Sequence, residues 1–395
     1  MFSSQVIQQL QQHETPFYYY DLNLLQQTLN ACHKAAQTYQ YHVHYALKAN
    51  FNLKVLEAVQ ATGFGADCVS GNEVKAAVAH GFDSGKIVFA GVGKSDKEIN
   101  AALDVNIFCF NVESVQELLV INDLAAAKNK IARIAIRINP NVDAHTHHHI
   151  TTGLEENKFG INTWQLDDVL FTLKDCSSLE FIGIHFHVGS QITDLDVFKQ
   201  LCLRVNELQN WFEQKGLTIK VLNVGGGLGV DYYKPDTNTI CDFNDYFKVY
   251  HDHLQVKTGQ EVHFELGRAL VAQCASLIAR VLYVKNGQAK NFLVLDAGMT
   301  ELIRPMLYQA HHEIENLSKQ DVTAATVKYD VVGPICESTD CFRTDVPLPE
   351  SHRGDLMALR TAGAYGEVMA SGYNLRDRVE SVYSQDAYAG NITLV

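Results

Sequence analysis

Short apolar runs rich in β-branched and aromatic residues recur along the first two-thirds of the chain, with helix-period stretches between them. The runs fall at residues 41–47, 65–69, 86–90, 106–110, 132–138, 181–188, 219–224 and 261–266, which predicts eight strands. Stretches such as 73–80 and 114–129 space their apolar positions by three and four, as an amphipathic helix does. Gly81 follows the first of these, where a helix C-cap wants positive φ. After about residue 270 the rhythm changes. Residues 277–284, 291–296, 326–332 and 355–362 read as strands separated by turns, without regular helices. Residues 17–20, ahead of the first helix of the repeating region, fit one more strand of that later part.

This order predicts the α/β class: a parallel (β/α)8 barrel over residues 25–270, with residues 1–24 and 271–395 forming a β-rich domain. A doubly wound open sheet shares the same periodicity. Closure is favoured by where the polar residues fall. Lys48, Asp67, Arg137, His187, the glycine run 225–227 and Arg268 all sit at or just past the C-terminal ends of predicted strands. In a closed barrel those ends converge on one mouth, where active sites are built.

Composition narrows the picture. A chain of 395 residues, 47% of them apolar, is long enough for two domains and a sizeable core. A net charge of −13 repels phosphate backbones and argues against nucleic-acid partners. No apolar run approaches the ~20 residues of a membrane span. Residues 1–13 are Gln-rich, with no basic flank before an apolar stretch, so no secretory signal is expected. The nine cysteines are odd in number and include no Cys-x-x-Cys pair, which fits a reducing cytoplasm.

Several positions can carry chemistry, and each has a plainer alternative. Lys48 ends Tyr-Ala-Leu-Lys; a lysine in a barrel mouth can form a Schiff base with an aldehyde, though a strand-end lysine reaching solvent is commoner. Gly225-Gly226-Gly227 follows the seventh strand, where barrels often bind phosphate, but a flexible turn reads the same; the spacing is not a dinucleotide fingerprint. Glu265 and Arg268 close the eighth strand. A carboxylate there can hold a pyridine nitrogen protonated and a guanidinium can grip an anion, or the two are structural ion-pair residues. His187 and Ser190 end the sixth strand, where imidazole can stack on a flat ring and hydroxyl can bind phosphate; a satisfied buried histidine is the ordinary fate. His145, His147, His148 and His149 crowd one loop, but no cysteine completes a site and no metal is expected. Cys336, in Gly-Pro-Ile-Cys-Glu-Ser, is either a reactive thiol or a buried one.

Together and in this order, the motifs resemble the alanine-racemase-like, fold type III family of pyridoxal-phosphate enzymes, and within it the decarboxylases of basic amino acids. The resemblance runs from about Thr15 to Asn374. Four stretches are most similar to the branch acting on diaminopimelate: Thr152 to Ile161, His187 to Gln191, Asp296 to Met299 through Arg304 to Tyr308, and Gly333 to Glu337. One departure is Leu266, where that family usually has proline. The resemblance implies a barrel whose partner β domain includes the N-terminal strand, and a cytoplasmic homodimer with shared active sites. It implies pyridoxal 5'-phosphate bound covalently to Lys48, with Glu265 on the pyridine nitrogen and His187 stacked on the ring. Ser190, Gly226, Gly227, Gly267, Arg268 and Tyr365 would surround the phosphate, while Asp67 and Arg137 orient the lysine. Arg268, Arg304, Tyr308, Glu337 and Tyr365 would contact substrate, and Cys336 would donate a proton in the neighbouring subunit's site. The implied reaction is decarboxylation of meso-2,6-diaminopimelate to L-lysine. Rivals are a decarboxylase of ornithine, lysine, arginine or carboxynorspermidine, an amino-acid racemase, and a non-catalytic pyridoxal-phosphate carrier. Arg304 with Tyr308 argues against the first, and the residues beyond the barrel argue against the last.

Overall fold

Apolar strands with a polar residue near one end, the first four followed by helices capped by Asn52, Ser70, Ser95 and Ser114, set the first architecture. The computed structural model describes residues 2–142, 157–319 and 325–384. These residues divide into two compact units: Leu29–Gly229 with Asp242–Arg268, and Met1–Thr28 with Val230–Cys241 and Ala269–Val395. The segment Val230–Cys241, which the sequence assigns to the barrel stretch, thus groups with the second unit.

Numbering strands along the chain, β1 (Phe17–Tyr20) belongs to the second unit. The first unit holds β2 (His42–Ala46), β3 (Gly65–Cys68), β4 (Ile87–Phe89), β5 (Cys109–Val112), β6 (Ala132–Arg137), β7 (Leu179–His185), β8 (Val221–Asn223) and β9 (Glu261–Leu266). They pair in sequence order, all parallel, and β9 returns to β2 through His42↔His263 and His44↔Glu265, so the barrel closes. Closure removes sheet edges and turns alternate side chains into one interior.

Helix starts are legible in the chain. Ser70, Ser95 and Ser114 each stand three residues before Glu73, Glu98 and Glu117. The Ser70 and Ser114 hydroxyls accept from the Glu73 and Glu117 backbone N–H at 3.2 and 3.1 Å, and Ser95 with Glu98 forms a full capping box. Each cap is worth about 1 kcal/mol. Gly81 takes φ +82, as its place after helix Gly71–Ala79 predicts.

Several strand boundaries differ from the sequence reading, and two of them have a plain cause. β5 begins at Cys109 because Asn106, at φ +53, still belongs to a turn. β7 stops at His185 because β8 ends at Asn223; Phe186 N–H makes a last bond to the Asn223 carbonyl, and His187 lies on the loop beyond.

The second unit is a sheet built around β10 (Ala275–Asn286). The others are β11 (Asn291–Leu295), β12 (Ile314–Asn316), β13 (Thr326–Val332), β14 (Cys341–Pro349), β15 (Leu356–Leu359) and β16 (Glu380–Tyr383). The first half of β10 pairs antiparallel with β1 and β15, and its second half pairs with β11 after an irregularity between Val281 and Tyr283. β1 is therefore an internal strand, parallel to β16 on its other side. The polar-looking N-terminus forms helix Ser4–Leu10, whose Val6, Ile7 and Leu10 join Phe17, Ile278 and Leu356 in one core. A short helix, Arg304–Tyr308, corrects the expectation of a helix-free region; Pro305 at its first turn suits the fixed φ needed there. Among the described residues no helix is long and apolar enough to cross a membrane, and all nine cysteines are free.

Candidate active site

In the barrel unit the polar strand-end residues meet as a network. Glu265 is the penultimate residue of β9 and is buried. Its carboxylate accepts from Asn111 Nδ2 at 2.9 Å, Asn223 Nδ2 at 2.8 Å and His185 Nε2 at 2.9 Å. Those donors come from β5, β8 and β7, so the carboxylate must lie in the barrel interior that these strands share. Burial alone pushes its pKa up; the neighbouring His185 and the Lys48 charge outweigh that and hold it well below the usual carboxylate range. Glu265 is thus favoured as a buried anion, which is what a protonated ring nitrogen would need opposite it.

Lys48 follows β2 on a single 3-10 turn, Leu47–Ala49, and its ammonium lies 3.3 Å from the Asp67 carboxylate at the end of β3. Asp67 is pushed up to about 6, first by burial and next by the Glu265 charge, against the pull of Lys48. His187 is driven well below its ordinary value by burial and by the positive charges of Arg137 and Lys48, so it presents a neutral ring. Its Nδ1 accepts from Gly226 N–H at 3.4 Å.

The glycine run allows a close approach that no side chain tolerates. A Cβ on Gly226 would lie 2.0 Å from the Glu265 carbonyl oxygen, and one on Gly227 would lie 2.8 Å from the Gly189 carbonyl, with φ +112 besides. Arg268 Nη2 donates to Ser190 Oγ at 3.0 Å. Gly267 sits between β9 and the turn that Arg268 begins. A guanidinium, a hydroxyl and glycine backbone amides form a donor set suited to a phosphate. A lysine, a buried anion and this cradle fit pyridoxal phosphate in both its reactive and its anionic parts.

Arg137 is held by Glu113, which the sequence reading did not single out. Glu113 accepts from Arg137 Nη1 at 2.9 Å, from Gly91 N–H at 2.7 Å and from Gly160 N–H at 3.1 Å. It pins the Asn157–Ile161 end of the Thr152–Ile161 stretch, which follows β6, and Phe159 lies under the Arg137 guanidinium at 4.9 Å. The rest of that stretch, residues 152–156, and His145, His147, His148 and His149 lie outside the described residues. His185, Asn111 and Asn223 were also missed; their only signal was a lone polar residue inside an apolar strand.

In the sheet unit, Arg304 and Tyr308 stand at opposite ends of one helical turn, four residues apart and so on one face. Arg304 is buried, donates to the Tyr232 hydroxyl at 2.8 Å and the Ala364 carbonyl at 3.4 Å, and approaches His312 Nε2 at 3.5 Å. None of these partners is an anion. Cys336 and Glu337 are exposed on the loop between β13 and β14, where Tyr373 donates to Glu337 at 2.7 Å. That loop is shaped by Asp340, whose carboxylate accepts from the Ile335 and Met299 N–H groups, both at 2.7 Å. Tyr365 takes the left-handed φ of +58.

Residues 22–272 match the family model described as pyridoxal-dependent decarboxylase, pyridoxal binding domain. A protein of Bacteroides thetaiotaomicron named diaminopimelate decarboxylase is 56% identical over 92% of this chain and 94% of its own. The crystal structure of diaminopimelate decarboxylase from Helicobacter pylori complexed with L-lysine is 38% identical, with TM-score 0.89 over 96% of this chain and 98% of that one. The crystal structure of diaminopimelate decarboxylase from m. jannaschii in co-complex with L-lysine is 31% identical, with TM-score 0.86 over 98% of this chain and 94% of that one.

Proposed function

This chain belongs to the pyridoxal-dependent decarboxylases and, within them, to the diaminopimelate decarboxylases, and on that premise we propose that it converts meso-2,6-diaminopimelate to L-lysine and CO2, the reaction that ends lysine biosynthesis. The observation that carries the reading is the pairing, at one barrel mouth, of a reachable lysine, Lys48, with a buried carboxylate, Glu265, that three N–H donors keep ionised. When bound, pyridoxal phosphate supplies an electron sink for the pair left on Cα as CO2 departs.

Lys48 Nζ is the covalent anchor of the cofactor, and Asp67 and Arg137 orient it. Glu265 keeps a proton on the ring nitrogen, because an anion already buried and fully hydrogen-bonded gains from a cationic partner. His187, neutral, can lie against the ring without repelling that charge. Ser190, Arg268, Tyr365 and the amides of Gly226, Gly227 and Gly267 hold the phosphate. Arg304 and Arg268 bind the substrate's distal carboxylate with Tyr308, and Glu337 takes the distal ammonium. A substrate with an amine tail would leave Arg304 without an anionic partner, which disfavours ornithine and lysine. Cys336 delivers a proton to Cα in the partner subunit's site of a cytoplasmic homodimer. Release of CO2 from meso-diaminopimelate, with lysine and ornithine as competitors, tests the reading: preference for diaminopimelate is expected, and preference for either other substrate overturns it. Borohydride reduction and peptide mapping should place the cofactor mass on Lys48.

A further inference from the structure

At the end of the barrel away from Lys48 lies a second group of chemistry-bearing side chains. His42 is the first residue of β2 and Glu261 the first of β9. With His44, His263 and Phe108 they line a cavity of ≈ 390 Å3. His44 Nδ1 lies 2.9 Å from the Lys86 carbonyl oxygen, His44 Nε2 lies 2.8 Å from His263 Nδ1, and His263 Nε2 lies 3.1 Å from a Glu261 carboxylate oxygen.

Each of these three contacts requires one hydrogen. Two neutral imidazoles carry one N–H apiece, whichever tautomer each adopts. One contact is then left as lone pair against lone pair. A cation between His263 Nε2 and the Glu261 carboxylate would relieve that opposition. A proton would satisfy this pair alone. A metal cation would satisfy more, because His42 stands beside it. The His42 and His263 ring centroids are 4.7 Å apart, and one ligand atom each of His42, His263 and Glu261 lie within 4.8 Å of one another.

We propose that His42, His263 and Glu261 form a site for a divalent cation of the zinc class at the bottom of the barrel. Two imidazole nitrogens and one carboxylate oxygen are a donor set zinc takes at about 2.0–2.2 Å, with water in the fourth position. The His42 ring lies at 23° to that of His263, so its nitrogen reaches the shared point by turning about its side-chain torsions, and its exposure leaves room for that. The His44 ring and the Lys86 carbonyl fix the His263 ring from behind, as hydrogen bonds to the far nitrogen do in metal-bound histidines. The site does not depend on how the other end of the barrel binds its cofactor.

The test uses the protein loaded with pyridoxal phosphate, stripped with chelator, incubated with zinc chloride and passed through a desalting column before metal analysis. The parent chain should retain one more zinc per chain than His42→Ala and than Glu261→Gln, and calorimetry should show affinity roughly tenfold or more weaker in each variant. Both variants alter exposed side chains, and an unchanged cofactor absorbance would certify their folding. A parent chain that retains no zinc, or equal zinc in all three proteins, overturns the proposal; the second result puts the metal elsewhere in the chain.

Discussion

Single residues in this protein are governed by how burial is offset. Glu265 and Glu73 are both carboxylates near the barrel mouth, yet they move in opposite directions. Glu265 has three side-chain donors and the Lys48 charge nearby, and is held well below the usual carboxylate range. Glu73 is raised from 4.5 to about 7 by burial, which its one bond from Val69 N–H only partly counters. Between those values the folded protein binds a proton that the unfolded chain has released, so stability falls as pH rises through that window and is fullest below it. Glu73→Gln keeps an oxygen for Val69 and removes the titration. Urea titrations at pH 5 and pH 8 should show the variant gaining on the parent by about 1–2 kcal/mol at the higher pH, after discounting for partial exposure. Arg304 poses the complementary case: a buried cation whose partners are a phenol, a carbonyl and an imidazole. If it serves the distal carboxylate, Arg304→Met removes a charged hydrogen bond of about 1.5–3 kcal/mol, or roughly ten- to over a hundredfold in kcat/KM on diaminopimelate. The cofactor absorbance should persist, and full activity in the variant would remove Arg304 from the substrate site.

Elements place these residues through their ends. The Ser-x-x-Glu spacing at residues 70, 95 and 114 starts three helices just after strands β3, β4 and β5, and it is visible in the sequence alone. The glycine run after β8 is visible too, but the reason for it is not. Only the packed strands reveal that a Cβ on Gly226 would collide with the carbonyl of Glu265, one strand away. Gly226→Ala must therefore displace the end of β9, which carries the buried carboxylate. Overpacking of this kind costs about 1–3 kcal/mol. The expected outcome is a folded barrel by circular dichroism that releases pyridoxal phosphate on gel filtration at least about tenfold more readily, since 1.4 kcal/mol is a decade in binding. Retention equal to that of the parent chain would show that β9 accommodates the methyl. The loop bearing Cys336 and Glu337 follows the same logic in the sheet unit, where Asp340 gathers the Ile335 and Met299 amides.

At the scale of the whole molecule, the barrel and sheet units each carry part of the proposed chemistry: Lys48 and Glu265 in one, Arg304, Cys336 and Tyr365 in the other. If Cys336 acts in the partner's site, mixing inactive Lys48→Ala and Cys336→Ala chains should restore activity, because a hybrid dimer keeps one site with both residues intact. Roughly a quarter of parent activity is the ceiling for random exchange, with half the dimers hybrid and one good site in each. Chains that exchange subunits and stay inactive would exclude the shared site. Sequence periodicity was sufficient for the eight barrel strands and for the polar residues at their ends, and for the β-rich character of the remainder though not for β12, β14 and β16, because burial imposes period two on strands and 3.6 on helices wherever they pack. It was not sufficient for the polar interior. Asn111, His185 and Asn223 lie far from Glu265 in sequence, and only closure of β2 onto β9 turns them toward one carboxylate. The relay from Lys86 through His44 and His263 to Glu261 arises the same way. The chain fixes which residues are polar and where strands run; which of them share a hydrogen, a charge or a cation depends on distances that exist only once the barrel has closed.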